Sequence, residues 1–309
     1  MENINIISTG SYLPKIKMEN KTFAKALGVT EEFLLQRTGI HTRYFVRDET
    51  MTYMAVEAAR KAIEKINLAV ETIDMIMVAT TTTKQLMPGI SYLVQKELEI
   101  KQAICLDILA GCSGYINAMD IARNYMALGK VTTALIIGVD VLSQVIDKED
   151  IGTAIVLSDG AGATILQVTE EQKQYESYIQ SDGMHSEILT YAADEKLYMD
   201  GKAVYKYAVT QPVQNVEGLL KDAKVPIEKI KYIVPHQSNL KILKSMQGRL
   251  QIPEDKMYIN IENVGNTFCA SIPIALEEIM DKGLVSRNEK IILLGYGGGL
   301  NTGSILLEW

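Results

Sequence analysis

Residues 105–129, CLDILAGCSGYINAMDIARNYMALG, run from a strand-like apolar segment through a turn of small residues into a helical pattern. Residues 257–283, MYINIENVGNTFCASIPIALEEIMDKG, do the same. Each unit lies between a matched pair of apolar strands. IDMIMV begins at Ile73 and its counterpart IKYIVP at Ile230, while ALIIG ends at Gly138 and IILLG at Gly295, an offset of 157 residues in both cases. Each repeat closes on a glycine-rich strand pair, TAIVLSDGAGATILQV (153–168) and GYGGGLNTGSILLEW (295–309). Alternating strands and helices indicate an α/β protein with buried parallel strands, and the matched order indicates duplication of one unit. The boundaries that follow are residues 1–168 and 169–309, each of ordinary domain size.

The chain has 309 residues, of which 47% are apolar and 22% charged, the balance of a globular protein with a substantial core. A net charge of −7 argues against a nucleic-acid partner, which demands a clustered excess of Lys and Arg. No apolar run approaches a membrane span, and MENINIISTGSYLP lacks the basic leader of a secretory signal, so no membrane association and a cytoplasmic location are expected. Three cysteines, Cys105, Cys112 and Cys269, have neither disulfide nor metal-ligand spacing, which fits a reducing compartment and no bound metal.

Cys112 falls where strand gives way to helix, in the expected first helical turn. Free N–H groups there favour thiolate over thiol and can hold an oxyanion, while Gly111 and Gly114 permit close approach. His236 ends the second-repeat strand IKYIVP, beside Gln237, Ser238 and Asn239; Asn266 stands at a helix start in NVGNTF. Taken singly, these are a packing cysteine, a structural histidine and an N-cap. Together they sit at the C-terminal ends of strands, where open α/β sheets place their sites. Thiol, imidazole and amide form a set suited to thioester chemistry: a sulfur nucleophile and two donors for an oxyanion or enolate. GYGGGLNTG is not a phosphate loop, since no Lys-Ser/Thr follows and the run continues into a strand; it reads as backbone closely approaching the site.

LAGCSGY, SDGAGA, VPHQSNLKI, GNTFCASIPIAL and GYGGGLNTG, in this order and spacing, resemble β-ketoacyl-ACP synthase III, the initiating condensing enzyme of bacterial fatty acid synthesis in the thiolase-like superfamily. The likeness extends from STGSYLP to the C-terminus and includes RTGIHTRY and MDGKAVYKYAV. It implies a thiolase-like fold, two duplicated α/β halves packed as five layers (αβαβα), usually as a homodimer. It further implies Cys112 as acyl-accepting nucleophile, His236 and Asn266 as the decarboxylation and condensation pair, the Cys112 and Gly298 N–H groups as oxyanion hole, and Gln237 and Asn239 in support. Acyl-CoA and malonyl-ACP are the implied substrates, with no cofactor. CoA contacts are implied at Phe33, Arg37, Thr38 and Ile151, an acyl-pocket role at Met87, and acyl carrier protein docking at Lys206, Lys241, Lys244 and Arg249.

The chain departs from the family at several positions. Phe33 stands where Trp commonly lies against the CoA adenine, and Ile151 where Arg covers its other face; that cation and ring are worth about 0.5–2 kcal/mol. Thr302 replaces a usual Trp. Met87 replaces a usual Phe of the partner subunit's acyl pocket, and its flexibility suits a longer or branched acyl group. These departures leave the primer and its carrier open, and they motivate a second reading: a thiolase-fold acyltransferase making an ester or amide without decarboxylation. A catalytically silent scaffold has no chemical need of the thiol.

Overall fold

The computed structural model describes residues 2–147, 149–192 and 196–309. In chain order it contains β1 (Glu2–Tyr12), then β2 (Ile16–Glu19) and β3 (Thr42–Phe45), a ribbon bracketing α1 (Asn20–Leu27) and α2 (Glu31–Thr38). There follow α3 (Met51–Lys65), β4 (Met75–Ala79), α4 (Ile90–Glu97), β5 (Ile104–Ile108), α5 (Gly114–Ala127), β6 (Thr133–Asp140), α6 (Ile151–Ala154) and β7 (Gly160–Lys173). The second repeat holds β8 (Tyr175–Ser181), a small ribbon of β9 (Leu189–Thr190) and β10 (Tyr198–Met199), α7 (Gly201–Ala208), α8 (Gln211–Ala223) and β11 (Ile230–Pro235). Last come α9 (Leu240–Leu250), α10 (Ile261–Val264), α11 (Ser271–Asp281), β12 (Lys290–Gly297) and β13 (Asn301–Glu308).

Two sheets carry the duplication. The first has strand order β1-β7-β6-β4-β5, the second β11-β12-β13-β8. In the first, β4 pairs in parallel with β5 and β6, and β7 turns back antiparallel between β6 and β1. In the second, β11 and β12 are parallel, and β13 turns back between β12 and β8. The counterpart of β5 is reduced to one parallel bridge, Ile233 to Met257. β7 runs unbroken across residue 168 to Lys173, so the first sheet extends past the boundary read from the sequence.

The layers follow from side-chain burial. Every residue of β4 and β6 is buried, because helices cover both faces of their sheet. α5 touches β4 and β6 on one side and β12 and β13 on the other, and α11 likewise contacts both sheets. These two helices accordingly bury apolar residues toward both sheets, Tyr115, Ile116 and Met119 in one and Ile272, Ile274 and Leu276 in the other. Outside the first sheet lies α3, capped by the Thr50 side chain accepting from Tyr53 N–H, with an alanine-rich face on β1, β6 and β7. Against the second sheet lies α8. The result is the five-layered thiolase fold. Its central helices bring the turn after β5 and the turn before α11 together between the sheets.

Candidate active site

Cys112 stands two residues ahead of α5, whose first residue is Gly114; it precedes the first helical turn in which the sequence placed it. The turn is tight because the end of β12 lies against it. A Cβ on Gly297 would come within 2.8 Å of the Cys112 backbone N and Cβ, and one on Gly111, at φ +57°, within 2.4 Å of Gly298 O. Glycine is the residue that permits this approach. Burial pushes the Cys112 thiol well up from its ordinary range, and the Asp140 carboxyl adds to the shift; the N–H groups of Cys112 and Gly298 oppose both. The lowered thiol pKa expected from the helix terminus is thus corrected: desolvation outweighs the terminal N–H groups.

His236 directly follows β11 and is buried. Nδ1 lies 2.8 Å from Ser271 Oγ, which also accepts from the Gln237 N–H at 3.3 Å. With the hydroxyl donating to Nδ1, the ring proton sits on Nε2 and faces the cavity as a donor. Burial lowers the imidazole pKa from 6.5 to about 3, so the ring is neutral. Its faces are closed by Tyr296 and Phe268, in edge contacts at 5.3 and 6.4 Å between centroids. Asn266 lies between α10 and α11. Its Oδ1 accepts from Phe268 N–H at 3.1 Å and its Nδ2 donates to Ser238 O at 3.3 Å. One Nδ2 hydrogen remains for another acceptor.

Cys112, His236 and Asn266 line one cavity of about 260 Å³, which extends past Tyr205, Tyr207 and Val204 of α7 to Arg37, Asn239 and Lys241. Cys112 also lines a second cavity of about 300 Å³, walled by Thr81, Thr82, Leu109, Val145 and Tyr191. Leu189, Leu197 and Phe268 border both. The thiol therefore sits at a junction: a largely apolar channel on one side, and on the other a second cavity that opens past the exposed Leu109.

The remaining residues singled out in the sequence fall variously. Gly298 lies against the Cys112 turn. Gln237 braces the site through its side chain, donating to Pro235 O and Tyr258 O and accepting from the N–H groups of Asn260 and Ile261. Asn239 caps α9 by accepting from Lys241 N–H. Arg37 lines the channel and its guanidinium lies 5.6 Å from the Phe33 ring centroid. Thr38 is fully buried and does not line the channel; its hydroxyl donates to Leu34 O and accepts from Ile40 N–H. Ile151 packs with Phe33 on the cluster of Phe23, Leu34 and Ile155, and borders a separate cavity beside Phe45. Met87 lies in the loop between β4 and α4, 89% exposed, and lines neither cavity of its own chain. Lys206 on α7, and Lys241, Lys244 and Arg249 on α9, are exposed, and of these Lys241 lines the channel. Cys105 and Cys269 are buried and unpaired.

Four site residues went unremarked in the sequence: Ser271, Tyr296, Phe268 and Asp140. Asp140, at the end of β6, is fully buried. Its Oδ1 accepts from the N–H groups of Thr81 and Thr82 and from the hydroxyls of Thr80, Thr81 and Thr82, and its Oδ2 from Cys269 N–H. The run of four threonines from Thr80 to Thr83 was the available signal; nothing in the sequence distinguished the aromatic pair from core residues.

Among the described residues no group of three metal-ligating side chains occurs, and no helix is long and apolar enough to cross a membrane. Two family models match the chain: 3-oxoacyl-[acyl-carrier-protein (ACP)] synthase III over residues 106–183 and its C-terminal counterpart over 220–309. The β-ketoacyl-[acyl-carrier-protein] synthase III of Clostridium acetobutylicum is 37% identical, covering 100% of this chain and 99% of its own. The crystal structure of 3-oxoacyl-[acyl-carrier-protein] synthase III from Aquifex aeolicus superposes with a TM-score of 0.96 at 36% identity, covering 99% of this chain and 100% of that one. The priming β-ketosynthase of the R1128 polyketide pathway superposes at 0.94 with 28% identity, covering 99% and 96%.

Proposed function

We infer what this site does from one premise: the chain belongs to the 3-oxoacyl-[acyl-carrier-protein] synthase III family. It is an acyltransferase that initiates fatty acid synthesis by decarboxylative condensation. An acyl thioester enters the channel and Cys112 Sγ attacks its carbonyl carbon. The N–H groups of Cys112 and Gly298 receive the oxyanion, and the thiol proton leaves, in net, with the departing CoA thiol. The acyl chain then rests in the second cavity. Malonyl-ACP follows through the channel and loses its carboxylate as CO2. The electron pair passes into an enolate whose oxygen accepts from His236 Nε2–H and Asn266 Nδ2–H. The carbanion attacks the acyl carbonyl, the tetrahedral intermediate expels Cys112 thiolate, and 3-oxoacyl-ACP departs. A proton from solvent restores the thiol. A neutral imidazole suits this role, since the ring donates a hydrogen bond and is not required to carry charge.

The observation that carries this reading is that thiol, imidazole and carboxamide line one cavity while the thiol alone opens onto a second. The covalent intermediate and the incoming arm thereby have separate spaces. No step as written uses a metal or redox group. Lys206, Lys241, Lys244 and Arg249 are the proposed docking positions for the acidic carrier protein, with Arg37 and Phe33 at the channel mouth toward CoA. A homodimer is the proposed assembly, with Met87 reaching the partner's second cavity. Three unpaired cysteines support a cytoplasmic setting. The test is incubation with acyl-CoA and malonyl-ACP. Release of CO2 with a 3-oxoacyl-ACP product is expected; an acyl-enzyme that forms yet releases no CO2 with a competent carrier overturns the condensation in favour of simple acyl transfer.

A further inference from the structure

We propose that Phe268 is a specificity-determining residue that excludes acyl groups branched next to the thioester carbonyl; the inference rests on the loading of Cys112 described above. Phe268 borders both the channel and the second cavity, and belongs to the same apolar cluster as Cys112, Val145 and Leu197. Its ring edge also meets the His236 imidazole. The aromatic ring thus stands beside the sulfur and the imidazole at once, where the first carbons of an acyl group on Cys112 must lie.

The backbone shows that this placement is held. Phe268 has φ +47°, in the left-handed region that a bulky L residue rarely adopts. Its N–H donates to Asn266 Oδ1, the following Cys269 N–H donates to Asp140 Oδ2, and Gly138 lies so close that a Cβ there would meet Cys269 O at 2.1 Å. A strained conformation held from three sides is a feature of sites where a side chain must be aimed. Shifting the Cα that carries the ring would disturb the same N–H that orients Asn266.

Size discrimination then acts at two places. The second cavity, about 300 Å³, would take up the length of the chain. At the junction the Phe268 ring limits girth, so a methyl branch at C2 or C3 of the acyl group meets it while an unbranched chain passes. Apolar pockets discriminate by about tenfold or more against a misfitting methyl group.

The experiment is competitive loading. Wild type, Phe268→Ala and Phe268→Gly are each exposed to equimolar acetyl, butyryl, isobutyryl and 2-methylbutyryl thioesters, presented on CoA and on acyl carrier protein, and the Cys112 adducts are resolved by intact-protein mass spectrometry. The glycine variant removes the same ring while relieving the left-handed backbone, so a folding defect confined to the alanine variant does not obscure the result. A branched-to-straight loading ratio about tenfold or more above wild type in the folded variants is expected. A ratio within twofold of wild type, with wild type itself loading, overturns this inference alone. A wild-type protein that acquires no acyl group from either donor overturns the functional reading and this inference with it.

Discussion

At the scale of single residues, His236 shows how burial sets the chemistry. Its imidazole is enclosed by Tyr296, Phe268 and Ser271, and desolvation lowers its pKa from 6.5 to about 3. The unfolded chain binds this proton near pH 6.5 and the folded chain only near pH 3. Stability from this group is therefore fully present above about pH 6.5 and is lost as pH falls toward 3. Within that window the slope for one proton is about 1.4 kcal/mol per pH unit. Urea unfolding of wild type and His236→Gln between pH 4 and 7 should differ in slope by close to one proton, with wild type the steeper. Equal slopes would mean the folded imidazole titrates freely.

At the scale of elements, the site depends on close approach of backbones at Gly111, Gly138 and Gly297. Gly138→Ala places a methyl 2.1 Å from Cys269 O, a backbone atom that cannot turn aside. A loss of about 1–3 kcal/mol in unfolding free energy is expected by urea denaturation, together with slower acylation of Cys112, because the displaced segment carries Asn266 and Phe268. Stability unchanged within experimental error would show that β6 and this segment separate easily. The strands themselves were legible: IDMIMV and IKYIVP became β4 and β11, and the apolar runs ending at Gly138 and Gly295 became β6 and β12. Short-range periodicity decides those elements. The thiol pKa was misjudged because it depends on desolvation by side chains of both repeats, among them Leu142, Val145 and Phe268, which helix-terminus reasoning omits. The burial of Thr38 was likewise not legible in the sequence. Its hydroxyl serves the end of α2, a local bond that a motif match does not reveal.

At the scale of the whole molecule, the first sheet ends on β5, and among the described residues no strand pairs with its outer edge. Ile104, Leu106 and Leu109 are exposed there, and Leu86, Met87 and Tyr92 add apolar surface from the β4–α4 loop and α4. Such an edge, left open, invites pairing with another chain. Sedimentation should give twice the chain mass, and Leu106→Lys should shift it toward one chain while lowering condensation; a wild-type monomer with full activity would refute the assembly. Asp140 bears on how such a molecule can change. The Thr80–Thr82 turn and the strand of chain leading into α11 are moored to the same carboxyl group, one by each oxygen. Neither wall can drift outward alone, since slackening one tether disturbs the other. New primer preferences must accordingly arise by exchanging side chains on a fixed frame, and the frame itself is inherited whole.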